Sequence, residues 1–119
     1  MHKVNISEKL NLIHEYWKPK IIGELNGQQV RIVKIKGEFV FHKHDQEDEF
    51  FLVMKGTLKM ELENKEFELN EGEFIIIPKG VLHKPAAAAE THLLLFEPAT
   101  VLNTGNVRNE LTVESPERI

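Results

Sequence analysis

The sequence predicts an all-β fold of short strands with one short helix near its start. Three observations carry this. Turn signals recur at about 8–12-residue spacing between apolar runs, the pattern of a sandwich or barrel. They are Asn26-Gly27, Gly37, Gly56, Asn64-Lys65, Asn70-Glu71-Gly72 and Pro78-Lys79-Gly80. Helical spacing is confined to one stretch, where Leu10, Ile13, His14 and Trp17 recur at i, i+3, i+4 and i+7. Three histidines and a carboxylate, His42, His44, Glu49 and His83, fall within the predicted strands or at their ends.

Each element has a local reason. Ser7 is placed to cap a helix running to Trp17, and Pro19 stops it. Ile21 to Leu25 reads as a strand, Asn26-Gly27 as a two-residue hairpin turn, and Gln28 to Lys36 as the returning strand. Phe39 to His44 is extended. Glu49 to Lys55, Thr57 to Leu62, Phe67 to Leu69 and Phe74 to Ile77 follow as short strands. Val81 to Pro85 and His92 to Glu97 complete the series, with Ala86 to Ala89 between them. Four alanines cannot nucleate a helix, so that run is expected to be a loop or crossover. The division is a single domain over residues 1–119: a helix at about 7–17, a barrel at about 20–98 and a tail at about 99–119. The first half of the tail is expected to pack on the barrel or on a partner, and its last residues to be mobile.

Composition narrows the function classes. The 119 residues suit one domain, which would bury roughly two-thirds of its unfolded surface. Net charge is −4 and no Lys/Arg cluster stands out, so nucleic acid is not an expected partner. Apolar stretches are only a handful of residues, far below the ~20 of a membrane helix, and no signal peptide is visible. Cys is absent, which excludes disulfides, thiolate ligands and a Cys nucleophile. A cytoplasmic location is the expectation.

The histidines carry the chemistry. Residues i and i+2 of a strand share a face, so His42 and His44 point together. Alone, such a pair also fits an exposed edge strand. Glu49 opens the next strand, with Phe51 and Val53 on its face as pocket-lining candidates, and His83 follows a Pro-x-Gly turn. Imidazole and carboxylate suit a mid-row divalent metal, whereas calcium prefers all-oxygen ligands. Asp45, Glu47 and Asp48 are rival carboxylates, read as a solvated acidic loop. His92 alternates with Leu94 and Phe96 and is a further candidate for the pocket. His14 and Trp17 read as a helix packing face.

Gly37-x4-His42-x-His44-x4-Glu49-x6-Gly56 resembles the first motif of the cupin family, and Gly72-x5-Pro78-x-Gly80-x2-His83 resembles the second. Fifteen residues separate the two, a gap similar to that of small single-domain bacterial cupins. The whole chain resembles those often labelled mannose-6-phosphate isomerase-like. The resemblance implies a double-stranded β-helix, or jelly-roll barrel, holding one divalent transition metal per chain (Fe, Mn, Ni, Zn, Co or Cu). It also implies His42, His44, Glu49 and His83 as the ligands. Two departures spare them: the first glycine stands one residue nearer His42 than usual, and Ala87 replaces a frequent asparagine.

The expected function is that of a metal-binding cupin acting on a small molecule, by dioxygenase-like or isomerase-like chemistry. The alternative is a non-catalytic binding or sensor protein for a small molecule or metal. The isomerase reading needs an acid/base pair, and no such pair is evident in the sequence. Strands apolar on both faces need cover on both sides, and a second copy is the expected cover, giving a homodimer.

Overall fold

A computed structural model describes residues 1–119. A single helical turn, α1 (Ile6–Leu10), precedes eight strands. They are β1 (Lys20–Leu25), β2 (Gln28–Glu38), β3 (Glu49–Lys55), β4 (Leu58–Glu61), β5 (Glu66–Leu69), β6 (Phe74–Ile77), β7 (Lys84–Pro98) and β8 (Glu117–Arg118). The sheet runs β5-β4-β7-β2-β1-β8, with β3 paired to both β6 and β7. The all-β architecture predicted from sequence is what forms.

The longest strand, β7, organises the barrel. One edge pairs antiparallel with β2 from Gln28↔Pro98 to Glu38↔Ala86. Its other edge pairs with β4 near Lys84–Ala86 and with β3 from Phe50↔Phe96 to Lys55↔His92. One strand serving two neighbours on the same edge makes the sheet curl, so the inward side chains of β2, β3, β4 and β7 meet. Val33, Ile35, Phe51, Val53, Met60, Leu93 and Leu95 are buried there in one cluster.

Local chemistry explains the sharpest turn. Asn26 (φ 51°) and Gly27 (φ 79°) both take positive φ, as the two-residue hairpin between β1 and β2 requires.

Three expectations are corrected. The helix covers Ile6–Leu10, not Ser7–Trp17, and its cap is Asn5, whose Oδ1 accepts from Glu8 N at 3.0 Å. Beyond it, Lys34 Nζ donates to Ile13 O and Trp17 takes a positive φ, so tertiary contacts win over helical spacing. Ala86–Ala89 lies within β7, where Ala86 and Ala87 pair with Glu38 and Gly37. Strand pairing overrides alanine's helix preference. The tail does not end loosely: β8 pairs parallel with β1, and Ile119 N donates to Ile21 O.

The outer face of β2 and β7 has cover of its own. Leu10 and Ile13 bury against Ile32, with Leu94 and Ile119 alongside. Part of the second apolar face is therefore covered by this chain's own ends.

Candidate metal centre

Two turns and one bridge bring the predicted ligands together. Glu49 is the first residue of β3 and pairs with Ile77, the last of β6. Alternation then sends Glu49, Phe51 and Val53 inward. After β6, Pro78-Lys79-Gly80 reverses the chain: Asp48 Oδ1 accepts from Lys79 N at 2.9 Å, and Gly80 N donates to His44 O at 2.8 Å. His83 then forms an isolated antiparallel bridge with His42. The result is one buried group in which ligand atoms of His42, His44, Glu49 and His83 all lie within 4.8 Å of one another.

The geometry suits a cation. His42 Nδ1 and His83 Nδ1 donate to the carbonyls of Val40 (2.9 Å) and Val81 (3.0 Å). A carbonyl only accepts, so each neutral ring carries its proton on Nδ1 and turns the Nε2 lone pair inward. Glu49 Oε1 lies 3.0 Å from His44 Nε2 and 3.2 Å from His83 Nε2. His44 Nε2 is close to that oxygen but not aligned for a hydrogen bond, and is left as a buried nitrogen without a partner. Lone pairs facing a carboxylate across about 3 Å are repulsive until a proton or a metal ion lies among them.

Electrostatics point the same way. Burial and the neighbouring His83 lower the His42 pKa to about 4, which keeps its imidazole neutral and ready to ligate at pH 7. Burial acts to lower His44, but the Glu49 carboxylate outweighs it and raises that ring. Burial acts to raise Glu49, yet the adjoining His44 and His83 imidazoles hold it well below the usual range.

The acidic neighbours stay outside the group. Asp45 and Asp48 are exposed, and Glu47 Oε2 accepts from Thr100 Oγ1 at 2.7 Å. That bond belongs to a strap the tail lays over the ligand loop. Asn106 Oδ1 accepts from Lys43 N at 2.9 Å, and Asn106 N donates to Lys43 O at 3.1 Å.

Beside the cluster lies a cavity of about 40 Å³, walled by apolar groups that include Trp17, Phe39, Phe51 and Leu93. His42, Glu49, Glu97 and Asn103 supply its polar edge. Phe51 lies in that wall. Val53 is buried deeper and is not part of the wall.

His92 is a correction. Leu93 and Leu95 face the core, so His92 has the opposite parity and turns outward. There its Nε2 meets Glu90 Oε2 at 2.8 Å, and Tyr16 donates to Glu90 Oε1 at 2.8 Å. Glu97, which shares the parity of Leu93 and Leu95, is the charged residue of β7 that faces inward. An acid on the buried face of an apolar strand was the signal available for it. Trp17 had none, because its place depends on bonds from Trp17 N to Lys34 O and from Nε1 to Lys36 O, both 2.9 Å.

The model of the cupin domain family matches residues 29–97, more than half of the chain. The chain belongs to the cupin family. A cupin-2 domain containing protein from Shewanella frigidimarina superposes with TM-score 0.79 and 42% identity, covering 80% of this cupin and 93% of that chain. Protein NMB1881 from Neisseria meningitidis gives TM-score 0.75 and 30% identity over 82% of this cupin and 99% of that chain. In sequence, the uncharacterized protein YdbB of Bacillus subtilis is 34% identical over 77 residues, 64% of this cupin and 68% of its own length. No helix of this cupin is long and apolar enough to cross a membrane.

Proposed function

We propose that this cupin binds one divalent transition metal per chain through His42, His44, Glu49 and His83, and offers it to a compact small molecule. The observation that supports this is the buried ligand group, with His44 Nε2 partnerless beside Glu49. A bound ion would supply Lewis acidity or an activated oxygen ligand in the adjacent cavity. The chain's own residues do the rest. Nδ1 bonds orient His42 and His83, Glu49 adds negative charge, and the apolar wall excludes bulk water.

The cavity limits what can react. Its about 40 Å³ holds roughly three waters at ~10–15 Å³ each, well below the ~150 Å³ that accommodates benzene. Arg31 is the cation beside it, and its donors are already engaged. A phosphosugar therefore finds little enclosed room and no free Arg31 donor for its phosphate. Dioxygen with a small co-substrate fits better than an isomerase substrate. The small cavity also favours the second reading, a metal-binding or sensing protein without turnover. The cytoplasm is the proposed compartment, in keeping with a cysteine-free sequence.

Metal analysis of protein purified without chelator or nickel resin, followed by oxygen uptake with small ketones and diols, is the test. One transition metal per chain with metal-dependent oxygen consumption supports the enzyme. Bound metal without turnover selects the sensor reading. No metal in the preparation, and none taken up on reconstitution, refutes both.

A further inference from the structure

Most of the cavity wall cannot leave, because Val33, Ile35, Phe51 and Leu93 belong to paired strands and the buried core. Asn103 reaches the wall from the tail, and Trp17 from the segment between α1 and β1. The tail side is pinned: Asn103 Nδ2 donates to Leu111 O and its Oδ1 accepts from Val113 N, both at 2.8 Å. Trp17 is held more lightly. Its neighbours His14, Glu15, Tyr16 and Lys18 are exposed, and one clip, Tyr16 OH to Glu90 Oε1 at 2.8 Å, fastens them. Ile13 and Pro19 are buried and anchor the two ends. Segments with few buried contacts and exposed hydrogen bonds open at the least cost.

The Trp17 indole plugs the cavity. It lies against Phe39 with ring centroids 4.9 Å apart and planes at 21°, and Phe39 meets His42 edge-on at 5.3 Å. Two bonds seat it on β2, from N to Lys34 O and from Nε1 to Lys36 O, both 2.9 Å. The seat is strained. Trp17 has φ 64°, an outlier for a bulky residue, and such strain persists only while the surroundings enforce it. Parting the two bonds relieves it, which favours release.

We propose that Trp17 is the gate of this cavity and sets the size of the ligand that reaches His42, with Tyr16 as its latch. This deepens the proposed function and rests on reading the cluster as a metal centre. With the indole seated, the about 40 Å³ beside the ligand group takes only a molecule of a few atoms. An indole is larger than benzene, which ~150 Å³ accommodates, so its departure makes room for one ring. That ring stacks on Phe39 in the indole's place, and the apolar wall selects an uncharged one.

Trp17 is the chain's one tryptophan, so its indole N–H gives a unique signal. Hydrogen exchange of that N–H in metal-free protein, read by NMR, measures opening. It should exchange well before the Leu93 amide of β7. Tyr16→Phe, which keeps the ring and loses the latch, should speed it about 2–10-fold. Azide and phenylimidazole binding to cobalt(II)-loaded protein, read by visible absorption, then measures size. Azide should bind wild type and Trp17→Ala alike. Phenylimidazole should bind Trp17→Ala about 10–100-fold more tightly, since no stack and no seating bonds have to be broken. Its association rate should rise about 2–10-fold in Tyr16→Phe, with that of azide unchanged. Tyr16→Phe leaves the wall intact, so it decides the gate even where Trp17→Ala fails to fold. An indole N–H as slow as the Leu93 amide, or a phenylimidazole rate indifferent to Tyr16→Phe, overturns the gate. Equal phenylimidazole affinity in Trp17→Ala and wild type overturns the size role. A wild type that binds no cobalt overturns the metal-centre reading, whereas the exchange measurement decides the opening of Trp17 independently.

Discussion

His42 and His83 exchange both backbone hydrogen bonds, His42 N to His83 O at 3.0 Å and His83 N to His42 O at 2.9 Å. Directly opposed residues of an antiparallel pair put their side chains on one face. The two rings accordingly stand with centroids 4.3 Å apart. Each also bonds the carbonyl two residues behind it. Segments some forty residues apart thus present two imidazoles in the same tautomer, whatever the flanking loops do.

Removing a ligand from so fixed a frame should empty it without unfolding it. His44 is the choice, because its Nε2 has no hydrogen bond to lose. His44→Ala should cost more metal affinity than the about 10–100-fold attached to an outer-shell partner, with a cooperative unfolding transition retained. Metal content by elemental analysis and far-UV circular dichroism check the two halves. Unchanged occupancy would falsify the ligand assignment.

Acid should weaken the metal-free fold through His42. The folded pKa is about 4, against an ordinary 6.5. Between these values the unfolded chain binds the extra proton, so stability rises with pH across that window. The contribution is complete above about 6.5 and is lost as pH falls toward 4, up to about 3 kcal/mol. Urea unfolding of chelated protein across that range measures it. His42→Gln should flatten the slope there, and an unaltered slope means that other groups carry the acid sensitivity.

The grouping of His42, His44, Glu49 and His83 was legible because its information is local. A glycine frame, an H-x-H pair and a Pro-x-Gly turn fix spacing over a few residues, and strand alternation does the rest. Asn26-Gly27 was readable for the same reason. Trp17 and Glu97 were not, since each takes its role from a distant partner: Lys34 and Lys36 O for one, Arg31 for the other. His92 shows how narrow the margin is. Placing the inward face of β7 one residue off exchanges His92 for Glu97, because a strand's period is two. The alanine run misled differently, as its conformation is set by β2 and β4.

Gly105 is where the tail strap meets the centre, and it admits no side chain. Its φ is +57°, and an added Cβ would lie 2.2 Å from Lys43 O and 3.2 Å from His42 Cδ2. Gly105→Ala carries the ~1–2 kcal/mol of left-handed backbone and must also push the strap off the ligand loop. It should lower both thermal stability and metal affinity. Gly72→Ala is the control: φ is +82°, but nothing lies within 4 Å of its Cβ, so stability should fall without loss of metal. Thermal melts and cobalt titrations of the two variants separate backbone strain from displacement of the loop.

A second copy is the expected cover for an apolar face that the chain leaves open. On the outer side of β3, β6 and β7, Phe74 is 59% exposed, Ile76 53% and Phe96 37%. Phe50 links them, pairing with Ile76 on one side and Phe96 on the other, its ring 4.9 Å from Phe74. Contiguous apolar surface of this kind is uncommon on a monomer and commonly marks an interface. The N-terminal segment shields Ile32 and Leu94 but does not reach this patch. The expected outcome is a homodimer in sedimentation velocity at micromolar concentration. Phe74→Glu combined with Ile76→Lys should convert it to a monomer while leaving metal content intact, because neither residue belongs to the ligand group. A wild type that sediments as a monomer, or a dimer indifferent to both charges, rejects this face as the interface.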